Sequence, residues 1–312
     1  MFEQIVKKCF HQAPQKNINK KIFYVLTHKK HKREIYFEKD NVESLKFMEQ
    51  KFNSFKKKII FFLIKINILQ IFLKKIYLNS NVGGLVFVGG QIKIFNFNRK
   101  KILSFPLKNE QFAEFLKSKK FQKNFASEIS PKINLISQNP VFSEEELLKK
   151  PKKIIQIKIF EKLIKFYSKM KIKEVSLKQY VENLNKKLHK KQIKNKFLFE
   201  VLQNLKKTNQ KILLVNIHGD FDIEQILLKD NSYIFTDWEP KISTITDDLI
   251  NFFKRESIYF KNKSLYKLLN LYPEKVRKNI KMYFILNEIE TIYENPKYLL
   301  KGIKNIKQIK SL

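Results

Sequence analysis

Two short stretches decide the fold of this chain: IHGDFDIEQ at residues 217–225 and TDWE at residues 236–239. They place the carboxylate of Asp220 five residues before the amide of Gln225 and seventeen residues before the carboxylate of Asp237. The intervening residues are typical of a hairpin, because a turn-forming KDNS segment separates two apolar runs. A proton-accepting carboxylate followed by two oxygen ligands for a nucleotide-bound metal is a spacing typical of phosphoryl-transfer sites.

Phosphoryl transfer asks for little covalent chemistry from a protein. It needs an acceptor held in line, metal ions that neutralise charge, and a group that takes the acceptor proton. Asp220 is suited to the last role, and Asp237 offers the hard oxygen that Mg²⁺ prefers. The alternative is that these carboxylates only form turns and helix caps, which does not explain their joint spacing.

In this region the chain resembles the aminoglycoside phosphotransferase-like families, relatives of the protein kinases that also include choline kinases and sugar kinases. The matching residues are His218-Gly219-Asp220, Asp237-Trp238-Glu239 and Asp248-Leu249. The resemblance is sharp over residues 217–249 and looser from residue 81 to the C-terminus. It implies an α+β, two-lobed protein-kinase-like fold, with a small antiparallel-sheet N-terminal lobe and a mostly helical C-terminal lobe.

The resemblance gives each of these residues a role. Asp220 would be the base or would position the acceptor hydroxyl, and His218 would brace the catalytic loop. Asp237 would bind Mg²⁺ at the nucleotide phosphates, and Asp248 would hydrogen-bond back to the catalytic loop. Gln225 stands where the family usually has Asn, and it offers the metal the same amide oxygen on a longer side chain.

The same resemblance assigns nucleotide binding to the N-terminal lobe. Its third strand should carry a Lys that binds the phosphates, but Ser104 stands near that position, so Lys93 or Lys101 would substitute. Glu114, or Glu110, would be the helix carboxylate that pairs with this Lys. The other expected nucleotide contacts are the turn at Gly89 and Gly90 and the backbone at Glu146. An ordinary hairpin turn is the alternative for the two glycines.

Hydrophobic patterning divides the chain into three parts. Residues 1–80 form an N-terminal extension of mixed character that is helical over residues 44–78. Residues 81–146 form the nucleotide-binding sheet lobe, and residues 147–312 form a helical lobe with the catalytic loop at 217–239. Strands are predicted at 22–26, 34–37, 85–88, 91–97, 101–105, 131–136, 141–142, 212–215, 225–228 and 233–235. Helices are predicted at 109–120, 154–170, 175–192, 195–208, 246–260 and 274–291.

The charge of the chain bears on its partners. The formal net charge is +35, and only four of the 64 basic residues are arginines: Arg33, Arg99, Arg255 and Arg277. Nucleic-acid sites tend to use the bidentate guanidinium group, so this balance argues against specific nucleic-acid binding. A solvated lysine surface produced by codon bias is one interpretation, and a field that attracts anionic partners is the other.

Cysteine content and hydropathy bear on location. Cys9 is the only cysteine, so no internal disulfide forms, and we expect a cytoplasmic protein. Residues 59–73 are the most apolar stretch and are too short to span a bilayer. We expect a buried or half-buried helix there, with Asn67, Gln70 and Lys74 on one face. A basic helix in peripheral contact with an anionic membrane surface is the alternative.

Together these features predict a Mg²⁺-dependent phosphotransferase that moves the γ-phosphoryl of ATP or GTP to a hydroxyl group. The resemblance suggests a small-molecule acceptor such as a sugar, an aminoglycoside, choline or a cell-envelope glycan component. Because a strongly basic chain repels cationic acceptors, a sugar or cell-envelope glycan is favoured among these. Two other classes stay open. One is a nucleotide-binding pseudokinase that regulates without turnover, and the other is a basic protein that binds nucleic acid or a membrane surface.

Overall fold

The computed structural model describes residues 20–28, 33–38, 41–51, 55–66, 68–79, 84–254 and 259–311. The chain forms two compact units. The first unit comprises Met1–Ser127 and Pro131–Lys149, and the second comprises Glu128–Ser130 and Lys150–Leu312. Cys9 and Asn67 lie outside the described residues.

The first unit is built on one antiparallel sheet. Its strands are β1 (Lys20–His28), β2 (Arg33–Glu38), β3 (Lys74–Asn79), β4 (Leu85–Val88), β5 (Gln91–Asn96), β6 (Lys101–Pro106), β7 (Ile133–Gln138) and β8 (Val141–Glu146). They lie in the order β3-β1-β2-β4-β5-β6-β8-β7. The pairing of β2 with β4 joins the strands of the N-terminal extension to the predicted nucleotide-binding strands in one continuous sheet.

Side chains from both faces of this sheet are buried, as the period-two alternation of its strands requires. The helices of this unit are α1 (Val42–Lys51), α2 (Phe55–Lys65) and α3 (Phe112–Asn124). Ile92 and Ile94 of β5 belong to a core cluster on one face. Phe95, which points the other way, packs in a second cluster with Met48 of α1 and Ile64 of α2.

The helical part of the N-terminal extension is shorter than predicted. After α2 the chain enters strand β3 instead of continuing as helix to residue 78. Gln70 is buried, and its amide nitrogen donates to the carbonyl of Ile64 at 2.9 Å, so a side chain satisfies a carbonyl at the end of α2. Lys74 lies on a strand and therefore shares no helical face with Gln70.

The second unit is mostly helical. Its helices are α4 (Gln156–Lys169), α5 (Leu177–Lys190), α6 (Lys196–Lys206), α7 (Asp247–Phe253), α8 (Lys263–Leu269), α9 (Glu274–Lys278), α10 (Ile280–Glu294) and α11 (Leu299–Ser311). Its strands are β9 (Lys173–Ser176), β10 (Lys211–Ile217), β11 (Ile226–Lys229), β12 (Ser232–Phe235) and β13 (Lys241–Thr244). Strands β13, β10 and β9 form one sheet in that order, and β11 pairs with β12.

The α+β class predicted from the sequence is confirmed by this architecture. The predicted hairpin is also confirmed, since Leu227 lies opposite Ile234 across β11 and β12. Its turn residues Asp230 and Asn231 have φ values of 47° and 63°, the left-handed conformation that a two-residue hairpin turn requires.

Several elements of the second unit differ from prediction. Strands β9 (KEVS) and β13 (KIST) were missed because each contains a single apolar residue, and each is a strand only through its pairing with β10. The helix predicted at 246–260 ends at Phe253. Among the described residues no helix combines the length and the apolar character that crossing a membrane requires.

Candidate active site

The predicted catalytic loop begins where β10 ends, at Ile217. Gly219 has a φ of +96°, a conformation that residues with a side chain rarely adopt. A Cβ atom at this position would lie 2.0 Å from the carbonyl oxygen of Glu239. The loop therefore needs glycine here, both for its backbone conformation and for the close approach of the segment after β12.

Replacement of Gly219 by Ala should destabilise the second unit by at least about 2 kcal/mol, because a left-handed Ala is strained and its methyl group displaces the Glu239 backbone. Urea unfolding of the full chain measures the loss. Gly90→Ala is the matched control, because a Cβ there meets no atom within 4 Å and no left-handed φ is needed. Equal stabilities of the two variants would contradict this account.

His218 lies fully buried beneath the loop. Its Nε2 donates to the carbonyl oxygen of Thr236 at 2.8 Å, and its ring packs 4.5 Å from that of Trp238. Burial lowers the pKa of His218 from 6.5 to about 4, so the imidazole is neutral at physiological pH. This geometry places His218 as a brace between the loop and the end of β12, and leaves it no access to solvent.

Asp248, in the first turn of α7, anchors the loop from the other side. Its carboxylate accepts hydrogen bonds from the backbone amides of His218 at 2.8 Å and Gly219 at 3.1 Å, and from the hydroxyl of Tyr167. Burial raises the pKa of Asp248 to about 6, although these hydrogen bonds act in the opposite direction. The loop backbone is thus fixed by a side chain 30 residues further along the chain.

His218 and Asp248 shift the pH dependence of stability in opposite directions. Between pH 6.5 and about 4 the unfolded chain protonates His218 and the folded chain does not, so this group lowers stability as the pH falls. Between about pH 6 and 3.8 the folded chain protonates Asp248 and the unfolded chain does not, so this group raises stability as the pH falls.

We therefore expect His218→Gln, which cannot titrate, to remove only the first effect. The difference in unfolding free energy between wild type and variant should shrink by about 2 kcal/mol from pH 7 to pH 5. Urea titrations at the two pH values measure it. A difference that is the same at both pH values would show that the folded-state pKa of His218 is not lowered.

The side chain of Gln225 was predicted to bind a metal. In the structure it is held inside the loop by hydrogen bonds. Its amide oxygen accepts from the backbone amide of Asp222 at 2.7 Å in a capping box around the turn Ile223–Gln225. Its amide nitrogen donates to Oδ2 of Asp220 at 3.4 Å. In this arrangement Gln225 orients the carboxylate of Asp220, and metal binding by the second lone pair of its amide oxygen stays a prediction.

Asp237 follows β12 and has a φ of 59°, which is strained for a residue with a side chain. Two backbone hydrogen bonds fix its flanks. The amide of Thr236 donates to the carbonyl of Gln225 at 3.0 Å, and the amide of Glu239 donates to the carbonyl of His218 at 2.9 Å. The segment that carries Asp237 is therefore tied directly to the loop that carries Asp220.

The donor set fits a nucleotide-bound Mg²⁺ better than a protein-held metal cluster. Among the described residues, no group of three or more His, Cys, Asp or Glu side chains is placed to hold a metal ion. Mg²⁺ at phosphates typically needs only one or two protein carboxylates, with phosphate oxygens and water as its other ligands. Asp237 alone can supply that carboxylate.

A second polar network surrounds Asp247, the neighbour of Asp248 in the sequence. Its carboxylate accepts from Thr244 Oγ1 at 2.6 Å and from Asn287 Nδ2 at 3.2 Å, and also from the hydroxyl of Ser243. Burial is also the main cause that raises the pKa of nearby Glu290 to about 8. These hydrogen bonds join β13, α7 and α10, and the sequence pattern did not predict them.

In the first unit the predicted nucleotide-binding residues lie on three strands, a helix and a turn. Gly89 and Gly90 form the turn between β4 and β5, and Gly90 has open space around its Cα. Lys93 lies opposite Ser104 across β5 and β6. Ser104 is buried, and its hydroxyl has no hydrogen-bond partner among the described residues.

A buried ion pair in the same unit was missed by the sequence analysis. Lys119 of α3 donates to Glu145 of β8 at 2.6 Å, with both side chains at most 5% exposed. Ser143 also donates to this carboxylate, at 3.1 Å. The helix thus carries the cation and the strand the carboxylate, the reverse of the predicted arrangement. The signal in the sequence was that Lys119 lies four residues after the buried Phe115, on the same helical face.

The remaining predicted nucleotide contacts lie nearer the surface. Glu114 is exposed on α3, and Lys101 pairs with Glu144 at 2.5 Å. Glu146 ends strand β8, and its backbone amide donates to the carbonyl of Lys132 at 2.9 Å. Glu146, whose backbone was expected to contact the nucleotide, is therefore the last residue of a strand.

No protein-family model matches the sequence, and no curated protein sequence matches it. Solved structures do match. Choline kinase LicA from Streptococcus pneumoniae is 12% identical, with a TM-score of 0.45 over 72% of this chain and 89% of its own. A putative fructosamine-3-kinase from Haemophilus somnus is 16% identical, with a TM-score of 0.47 over 70% of this chain and 86% of its own.

A choline kinase from Cryptosporidium parvum is 14% identical, with a TM-score of 0.44 over 74% of this chain and 87% of its own. The names of these similar structures all describe kinases of small molecules.

Proposed function

We propose that this protein is a Mg²⁺-dependent phosphotransferase that moves the γ-phosphoryl of ATP or GTP to a hydroxyl group of a small molecule. One observation carries the proposal. Asp220 and Asp237, the two carboxylates with the phosphoryl-transfer spacing, lie on segments that are hydrogen-bonded to each other through Gln225, Thr236, His218 and Glu239. Carboxylates that served only as turn or cap residues would not need these hydrogen bonds between their two segments.

In the proposed reaction Asp220 accepts the proton of the acceptor hydroxyl. The hydroxyl oxygen forms a bond to the γ-phosphorus, and the bond from that phosphorus to the bridging oxygen of the nucleoside diphosphate breaks. Gln225 orients the carboxylate of Asp220, and Asp248 with His218 keeps the loop from shifting. Bound at Asp237, Mg²⁺ would neutralise the charge of the phosphates.

For the acceptor, we propose a sugar or a cell-envelope glycan component. The net charge of +35 creates a field that repels cationic acceptors and favours neutral or anionic ones. In the second unit the buried carboxylate of Asp247 is engaged by protein hydroxyl and amide groups. The Asp247 carboxylate therefore links β13 to α10 through these hydrogen bonds and is not available to bind a cationic acceptor.

For the nucleotide, we propose that the Lys119–Glu145 pair replaces the ion pair that the resemblance placed between a strand Lys and a helix Glu. The pair fixes α3 to β8, next to the Glu146 backbone expected near the adenine. Lys93 and Ser104, which lie opposite each other on β5 and β6, remain the proposed residues at the phosphates.

Replacement of Asp237 by Asn tests the metal-dependent site. ATP with Mg²⁺ should raise the melting temperature of the wild-type chain more than ATP alone, and this metal-dependent increment should disappear in the variant. Asp230→Asn is the matched control, because both positions are left-handed Asp residues and Asn tolerates that conformation equally. An increment retained in Asp237→Asn would contradict the assignment of Asp237.

ADP release over a panel of sugars, choline and aminoglycosides then identifies the acceptor and separates an enzyme from a pseudokinase. The pseudokinase alternative is motivated by Ser104 at the expected Lys position and by the Gln225 oxygen that is used within the loop. It predicts the metal-dependent melting shift with no ADP release for any acceptor. Absence of any nucleotide-dependent shift would contradict both.

A further inference from the structure

We propose that the face formed by α2 and the segment that follows it, residues 55–66 and 68–77, docks onto an anionic membrane surface. This inference is independent of the proposed phosphoryl transfer. We call these residues the docking face. It lies in the N-terminal extension, for which the catalytic pattern gives no role.

The docking face concentrates the exposed apolar side chains of the chain. Of the 20 large hydrophobic side chains exposed among the described residues, nine lie within these 22 positions. They are Phe55, Ile59, Ile60, Phe62, Ile66, Ile68, Ile71, Phe72 and Tyr77. Phe55, Ile71 and Phe72 are the most exposed of these, at 78%, 76% and 80%. A cluster of exposed apolar side chains indicates an interaction surface, whereas single exposed apolar residues scattered over a protein are normal.

The arrangement on α2 separates a buried stripe from an exposed one. Phe61 and Ile64 are buried in the core cluster beneath the sheet. Phe55, Ile59 and Phe62 recur at i, i+4 and i+7 and are all exposed. A helix that is apolar on both sides but covered on one leaves its second side for a partner.

The positive charge of the docking face indicates the chemistry of its partner. Lys58, Lys65, Lys74 and Lys75 are exposed within the docking face. The sequence contains no Asp or Glu between Glu49 and Glu110, so no acidic side chain from this long stretch offsets those lysines. The occupant must therefore be apolar and negatively charged together.

An anionic bilayer surface meets both requirements. Its acyl region takes up Phe and Ile side chains to a shallow depth, and its headgroups attract the lysines. A second copy of the chain would bring the same lysines together, and nucleic acid offers no apolar layer for isoleucine. The face would lie in the plane of the interface, with the long lysine side chains reaching the headgroups.

Flotation of the full-length protein with vesicles tests the proposal. Phosphatidylcholine vesicles that contain phosphatidylserine should bind the protein at physiological salt, and pure phosphatidylcholine vesicles should bind it much more weakly. Substitution of Ile71 and Phe72 together by Ser should lower the partition coefficient by roughly tenfold or more. The fold should tolerate these changes, because Ile71 and Phe72 are 76% and 80% exposed.

Two controls separate a specific face from the general positive charge. Leu300→Ser removes an apolar side chain that is 83% exposed in the second unit and should leave binding unchanged. Reversal of Lys58, Lys65 and Lys74 to Glu should weaken binding far more than the same reversal of the exposed Lys190, Lys194 and Lys297. Equal losses from the two triple variants, or no effect of the Ile71 and Phe72 substitutions, would overturn the proposal.

The same variants distinguish a protein partner. If the wild-type chain forms a dimer that the Ile71 and Phe72 substitutions dissociate, and anionic vesicles do not bind it, the occupant is a second copy and the lipid proposal is wrong. Phosphoryl transfer in solution should be unaffected by these substitutions, so this test fails or succeeds separately from the proposed enzymatic function.

Discussion

Replacement of Asp220 by Asn should lower kcat for phosphoryl transfer by about 10²–10⁴-fold, the usual size of a general-base contribution. The variant keeps the size of the side chain and removes the oxygen that accepts the acceptor proton. The KM for the nucleotide should change little, because Asp220 is assigned to the acceptor and not to the phosphates. Steady-state ADP release with the acceptor identified in the panel measures both quantities.

The control for this substitution must remove a nearby carboxylate without touching the reaction. Asp230→Asn does so, because Asp230 is exposed at the tip of the hairpin between β11 and β12. It should retain wild-type kcat. A melting temperature for Asp220→Asn close to that of wild type would show that a rate loss is chemical. An Asp220→Asn enzyme with an unchanged rate would rule out Asp220 as the base.

Replacement of Lys119 by Met should destabilise the first unit by about 3–5 kcal/mol, since it leaves the buried carboxylate of Glu145 without its cation. The methionine side chain nearly fills the space of the lysine, so the loss reports the charge and not a cavity. Urea unfolding, with hydrogen exchange followed in α3 and β8, measures the loss in the unit concerned.

A double variant makes this prediction specific. In Lys119→Met with Glu145→Gln no unpaired charge remains, so much of the lost stability should return. Lys120→Met is the control, because the neighbouring lysine is exposed and its loss should change stability by no more than about 0.5 kcal/mol. If the single and double variants are equally destabilised, the ion pair is not what holds α3 to β8.

The KM values of the same variants test the proposal that the Lys119–Glu145 pair replaces the expected ion pair between a strand lysine and a helix glutamate. If the pair positions the nucleotide-binding strands, Lys119→Met should raise the KM for ATP and leave the KM for the acceptor unchanged. A purely structural pair would lower the fraction of folded protein and leave both KM values unchanged. Wild-type protein that transfers no phosphoryl group would instead reject the proposed function itself.

Much of the fold followed from local signals. The hairpin between the two candidate site segments was predicted because turn residues stood between two short apolar runs, and the structure confirms the pairing of β11 with β12. Helices α4, α5 and α6 were predicted because their buried residues recur with the helical period. Such signals depend on neighbours within a few residues of the chain.

The misplaced elements share a different cause. Residues 74–79 have an apolar pattern that a helix also satisfies, and pairing with β1 makes them a strand. Strands β9 and β13 contain one apolar residue each and therefore carry no apolar pattern of their own. Pairing between distant segments overrides local preference at these sites.

By itself the sequence determined which residue types a phosphoryl-transfer site would use here and in what order, because that information lies in the spacing of Asp220, Gln225 and Asp237. Only the tertiary structure decided how they are held. In the folded chain the Gln225 oxygen accepts a hydrogen bond within a capping box, Asp248 accepts one from the loop backbone, and Lys119 forms an ion pair with Glu145. The physical reason is that a buried polar group without a partner is costly, and the fold often supplies that partner from far away in the sequence.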